Sequence, residues 1–295
     1  MRARYPDRDG VVDRAGVDIF YEVYENPGPT LLLVAAAPIT HTRSWKGLIP
    51  YLSRHFRVVV LDGRGNGRSG RPTSPEAHNR AANVGDMVAV LDATETDQAV
   101  LVAHCHANWW ALEFISDHPR RANGLIAIEP GLPHVGKPQP HWVETAPNWD
   151  RVLDNPVGWN LFNRNVIVTQ HQSWIEFFFT QQLVESHSTK QFEDMVAWAL
   201  ESTGEVLAAS EEGIEIDLPE RDEFREVCRN LAVPVLVIHG ELDVCQSVSK
   251  GVELAELTDG ELLVIEGGGH LPQGKDPVRV NLAIRDFVER TKRAA

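Results

Sequence analysis

The tightest constraint on what this chain can fold into lies in Gln98 to Pro119, where a strand pattern meets a helix pattern with no room for a loop. Ala99 to Ala103 is a Val-rich apolar run without alternation, as expected of a strand covered on both faces. Ala107, Trp110, Ala111, Phe114 and Ile115 then recur at i, i+3, i+4, i+7 and i+8, which is one apolar face of a helix, and Pro119 stops it. Only His104, Cys105 and His106 lie between the two. A junction this abrupt raises the side chain at the turn above the end of the sheet, and it needs small residues two positions before and after, because strand and helix backbones press together there. Ala103 and Ala107 occupy those positions, so Cys105 is the raised residue.

The rest of the chain repeats the alternation of buried strand and amphipathic helix, which predicts an α/β fold with a mostly parallel twisted sheet and helices on both faces. Strands are expected at Val17 to Glu25, Thr30 to Ala36, Arg57 to Leu61, Leu125 to Ile128, Val235 to His239 and Leu262 to Ile265. Helices are expected at Ser44 to Phe56, around Val84 to Leu91, at Val248 to Leu257 and at the C-terminus, where Val280, Ala283, Ile284, Phe287 and Val288 mark the core face. The pattern lapses between Gly131 and Arg225 into Pro-rich loops and short amphipathic segments. That region holds Trp142, Trp149, Trp159, Trp174 and Trp198 together with Phe177, Phe178 and Phe179. The expected organisation is a core of residues 1–130 and 226–295 with a helical insertion over 131–225.

Cys105 with small neighbours at a strand-to-helix elbow resembles the α/β-hydrolase family, whose commonest elbow reads Gly-x-Ser-x-Gly; here a thiol stands where serine is usual. The run Asp62-Gly-Arg-Gly-Asn-Gly-Arg-Ser69 matches the Asp-x-Arg-Gly-x-Gly-x-Ser loop that many members carry. No helix beginning Gly-Lys-Ser or Gly-Lys-Thr follows it, which excludes a P-loop. The resemblance covers nearly the whole chain and implies a triad in the order nucleophile, acid, histidine: Cys105, Asp243 in Gly-Glu-Leu-Asp, and His270 in Gly-Gly-Gly-His. Glu129 stands where some members carry the acid instead. The oxyanion hole is expected at the backbone amides of His106 and Ala37, although the family's His-Gly pair is replaced here by Ala35 and Ala36. Residues Glu176 to Trp198, through His187-Ser-Thr-Lys-Gln, are similar to the cap of hydrolase domains found fused to nucleotide cyclases.

The chemistry follows from the residue types. A thiolate is the reactive form of cysteine, and a helix N-terminus with a nearby imidazole favours it below the free thiol pKa of about 8.5. The implied function is acyl transfer from an ester, thioester or lactone with an apolar acyl part, through an acyl-Cys intermediate. A low-turnover ligand-binding or sensory protein, or an acyltransferase or cyclase with a non-water acceptor, are the alternatives. Cysteine as a buried space-filler is the bland competitor for Cys105 alone.

Composition narrows the partners. A net charge of −14 argues against a nucleic-acid partner. Three cysteines without paired spacing give neither a disulfide framework nor a zinc site, and His104, Cys105 and His106 are too close in sequence to wrap one tetrahedral ion, so no metal or other cofactor is expected. No apolar run reaches the ~18 residues of a membrane span and no signal core opens the chain, so the cytoplasm is the expected compartment. The expected partner is a small-molecule or carrier-bound acyl substrate.

Overall fold

The computed structural model describes residues 4–36, 38–184, 189–216 and 218–294. Eight strands run β1 Arg8–Arg14, β2 Val17–Tyr24, β3 Thr30–Val34, β4 Arg57–Leu61, β5 Ala99–His104, β6 Ala122–Ile128, β7 Val235–Gly240 and β8 Glu261–Ile265. They form one sheet in the order β1-β2-β4-β3-β5-β6-β7-β8, with β1 and β2 antiparallel and every pair from β4 onward parallel. β1 was not expected: it is a hairpin partner of β2 at the sheet edge, and its polar, half-exposed residues carry little hydrophobic pattern.

Strand alternation divides the interior into two layers. Leu101 and Ala103 of β5 face one side with Leu32, Leu125 and Val237, where helices Arg80–Ala93, Ala107–Asp117 and Val248–Thr258 cover them. Val100 and Val102 face the other side with Leu33, Ile126 and Ile238, under the C-terminal helix Pro277–Ala294. Each fully buried side chain of this size is worth about 1.5–3 kcal/mol, which fixes the register of these strands, since a one-residue slip would exchange the two faces.

The helix expected over Ser44 to Phe56 is broken. A 3₁₀ turn at Thr42–Trp45 is followed by a single helical turn at Ile49–Leu52. Gly47 and Pro50 interrupt it, and Pro50 sits in the first turn of the short helix, where its missing N–H costs nothing. The apolar residues Trp45, Leu48, Ile49, Leu52 and Phe56 are buried all the same.

Between β6 and β7 the chain leaves the sheet and forms short helices, including Pro140–Thr145, Arg164–Thr169, His171–Gln182, Thr189–Ala199 and Gly204–Ile214. They bury an apolar cluster of their own, containing Ile167, Trp174, Phe179, Met195, Trp198 and Leu207. Helix Arg221–Arg229 crosses position 225 and buries Phe224 and Cys228 in the sheet-side core. Among the described residues no helix is long and apolar enough to cross a membrane.

Candidate active site

Cys105 has φ +55°, the left-handed region that a non-glycine residue occupies at a cost of about 1–3 kcal/mol. Its own backbone bonds offset that strain. The Cys105 amide donates to Ile128 O at 3.0 Å, and the Cys105 carbonyl accepts from the amides of Asn108 and Gly131, each at 3.1 Å. The Asn108 side chain adds a clamp, donating through Nδ2 to both Cys105 O and Ile128 O at 2.9 Å. Gly131 is packed so closely that a Cβ there would lie 3.1 Å from the His106 nitrogen. Neither Asn108 nor Gly131 was singled out in the sequence; an Asn inside an otherwise apolar helix face was the available signal. Among the described residues no acceptor is bonded to the His106 amide, which sits at the start of helix Ala107–Asp117, where the first amides lack intrahelical partners. Ala37 lies outside the described residues, as does His187 of the cyclase-like cap resemblance.

His270 Nδ1 lies 2.7 Å from Asp243 Oδ2, both buried. Asp243 Oδ1 accepts the amides of Cys245 at 2.7 Å and Gln246 at 3.1 Å. Burial opposes the Asp243 charge, but the charge of His270, with hydrogen bonding from His270 and Glu129, outweighs it and holds the carboxyl well below the usual carboxylate range. Burial likewise works against a charged His270, yet the negative charge of Asp243 first, then that of Cys105, with the Asp243 hydrogen bond, push its pKa up to about 10. His104 packs against His270 with ring centroids 4.9 Å apart, and its Nε2 lies 2.9 Å from His270 O. A carbonyl can only accept, so this nitrogen carries the proton. Burial first, then the neighbouring His270 charge, bring His104 down to about 3, so it is neutral.

Glu129 does not reach His270 by any hydrogen bond among the described residues. It is fully buried behind Asp243: Oε1 accepts the Gly240 amide at 2.5 Å, and Oε2 lies 2.9 Å from His239 Nε2. Burial and the adjacent Asp243 charge push its pKa well above that of an ordinary carboxyl, which favours the neutral form of Glu129 beside a charged Asp243. Glu129, His239 and Asp243, and also Asp243, Cys245 and His270, bring three ligand atoms within 4.8 Å of one another. Both sets share Asp243, whose oxygens are already taken by His270 Nδ1 and two amides, so a cation would have to displace the bonds that orient the imidazole.

The glycine-rich loop after β4 is a brace. Asp62 Oδ1 accepts Thr42 N at 2.9 Å and Oδ2 accepts Arg68 N at 2.8 Å, while Arg64 pairs with buried Asp86 through two bonds of 2.8 and 2.6 Å. Asn66 Nδ2 donates to Pro38 O at 2.6 Å and so anchors the turn after β3.

Cys105 and His270 open onto a cavity of about 300 Å³ between the sheet end and the inserted helices. Trp142, Trp174 and Phe178 line it, three of the aromatics noted in the insertion, joined by Phe162. Trp149, Trp159 and Phe177 are not on its wall and pack against the insertion's own cluster, to which Trp174 belongs with Trp198 and Phe179 and against which Phe162 and Phe178 also pack.

These features define a class before any relative is considered: a sheet with a strained elbow at the end of a central strand, and an Asp–His pair on the two strand ends beyond it. A family model described as the alpha/beta hydrolase fold matches residues 29–277, and the chain belongs to that family. It is 34% identical to epoxide hydrolase B of Mycobacterium tuberculosis over 114 residues, which is 38% of this chain and only 31% of that relative. It is 26% identical over 279 residues to the 2-hydroxymuconate semialdehyde hydrolase of Pseudomonas sp. CF600, covering 90% of this chain and 89% of that one. The crystal structure of esterase RhEst1 from Rhodococcus sp. ECU1013 superposes with a TM-score of 0.75 at 23% identity over 96% of this chain and 98% of that one, a likeness of fold.

The raised pKa of His270 gives a pH-dependent expectation. Cys105 supplies part of the negative charge that keeps the imidazolium protonated, so capping the sulfur with a neutral group removes that part and His270 should release its proton at lower pH. His270 ring resonances followed by NMR should titrate near 10 in the free protein and at lower pH after carboxamidomethylation of Cys105. Identical titration curves would show that the sulfur carries no charge beside the ring.

Proposed function

We propose that this chain is a hydrolase that passes an acyl group from an ester, thioester or lactone to Cys105 and then to water. The observation that carries the reading is Cys105 itself, held at φ +55° on the wall of a cavity that it shares with His270, whose Nδ1 is 2.7 Å from a buried carboxylate. Cys105 attacks the carbonyl carbon, and His270 takes the thiol proton or already holds it as imidazolium. The oxyanion is met by the His106 amide and, by the family pattern, that of Ala37, each such donor being worth about 3 kcal/mol. Collapse breaks the bond to the leaving group, which receives the proton from His270, and leaves a thioester. With the sulfur acylated, neutral His270 accepts a proton from water, whose oxygen displaces Cys105 and yields the carboxylic acid. Asp243 fixes the tautomer and stabilises the imidazolium.

Residues 131–225 act as a cap in this reading, and Trp142, Phe162, Trp174 and Phe178 on the cavity wall favour an apolar acyl chain. Each buried methylene contributes up to about 0.8 kcal/mol, so kcat/KM for p-nitrophenyl esters should rise up to roughly fourfold per carbon from acetate until the cavity fills, measured below micelle concentrations. A flat or falling series would leave the aromatics as packing alone.

A further inference from the structure

Lys250 is a cation on the wall of the cavity that holds Cys105, and the acyl-transfer reading gives it no task. It lies in helix Val248–Thr258, half-buried, and its Nζ donates to Leu132 O at 3.0 Å and Gln246 Oε1 at 2.8 Å. Both acceptors are neutral oxygens. Among the described residues no carboxylate pairs with Lys250, whereas surface arginines such as Arg8, Arg68 and Arg290 have Asp or Glu beside them. An ammonium offers three N–H donors, so two neutral acceptors leave one donor to be answered and no carboxylate in direct contact with the charge. Burying such a group without a counter-charge is costly, and burial does pull its pKa down, opposed by the negative charges of Cys105 and Asp243. The two carboxyls that share the cavity wall, Glu211 and Glu215, come from the inserted segment rather than from the sheet end. Burial and the neighbouring Glu215 raise Glu211 to about 7, so near neutrality it is partly protonated and repels an anion weakly.

We propose that Lys250, aimed by Leu132 O and Gln246, binds an anionic carboxylate carried by the substrate, so that the preferred substrates are acyl esters or thioesters bearing a second, charged carboxyl group. The proposal deepens the acyl-hydrolase reading and rests on it. The apolar wall then accommodates the carbon chain and the ammonium its charged end. A competing role for Lys250, support of the Cys105 thiolate, makes a different prediction, because it would affect charged and neutral substrates alike.

The test compares mono-p-nitrophenyl esters of adipate, pimelate and suberate with the ω-amides of the same chains, and 4-carboxyphenyl with 4-carbamoylphenyl hexanoate for a charge on the leaving group. The wild-type protein should prefer the carboxylate over its matching amide by about tenfold or more in kcat/KM in at least one pair, since hydrogen bonds to charged groups are the stronger kind. In Lys250→Met that preference should fall to within about threefold, mainly through KM, with the amides and the rate of Cys105 alkylation by iodoacetamide little changed. No preference in the wild type, or a preference that survives in Lys250→Met, overturns the proposal, and so does an equal loss for amides and carboxylates together with slower alkylation. If no ester of either kind acylates Cys105, the acyl-hydrolase reading itself has failed; if the amides turn over and the carboxylates gain nothing, only the assignment of Lys250 has.

Discussion

Cys105→Ala should leave no acyl-enzyme detectable by intact-protein mass and should lower kcat for p-nitrophenyl esters by at least about four orders of magnitude, because removing the nucleophile removes the covalent route and leaves only binding and oxyanion stabilisation. The wild-type thiols should also separate by reactivity. Cys105 is 8% exposed on the cavity wall, whereas Cys228 is fully buried with its thiol pushed up to about 12, and Cys245 is buried and pushed well above the ordinary range. Iodoacetamide should therefore modify Cys105 first, and activity should disappear in step with that single adduct. Equal labelling of the three thiols, or esterase activity retained by the alanine variant, would remove Cys105 from the mechanism.

Asp243→Asn should cost about four orders of magnitude in kcat while Glu129→Gln costs no more than about tenfold. The asymmetry comes from protonation, not from distance along the chain. Asp243 accepts from His270 Nδ1, and an amide in its place offers N–H groups that favour the wrong tautomer. The raised pKa favours a neutral Glu129, and a glutamine reproduces that state, the acceptor for the Gly240 amide and a donor toward Asp243. Thermal melts should show both variants folded, and steady-state kinetics should separate them. Greater damage from Glu129→Gln would transfer the acid's role to Glu129.

The gathering of Cys105, Asp243 and His270 at one edge of the sheet was legible in the sequence because each follows a strand with a clear apolar run, and a parallel sheet brings such positions together. What surrounds them could not be read that way. Glu129 and His239 meet only because β6 and β7 are neighbours with Ile128 opposite Ile238, a pairing that no local pattern specifies. Glu129 appeared as a rival to Asp243, and only its burial beside that carboxylate raises its pKa while that of Asp243 is lowered. Lys250, one polar residue in a helix that looks amphipathic, is indistinguishable in sequence from a solvated side chain. The helix expected at Ser44 to Phe56 misled for a simpler reason: its apolar spacing is helical, but Gly47 and Pro50 outweigh it locally.

The inserted helices are fastened to the very loops that carry the acid and the imidazole. Gln139 Nε2 donates to Asp243 O at 2.7 Å, Trp142 Nε1 donates to Cys245 O at 2.7 Å, and the His270 amide donates to Gln182 O at 3.2 Å. On the other side, His104 Nε2 holds the His270 carbonyl at 2.9 Å. The insertion is thus not an interchangeable module. Excising it, or grafting one from a relative, would strip three main-chain anchors from the loops bearing Asp243 and His270, and the remaining sheet would keep its architecture while losing the alignment of its reactive groups. If the insertion acts as the proposed cap, its specificity is then better altered side chain by side chain than by exchanging the whole segment.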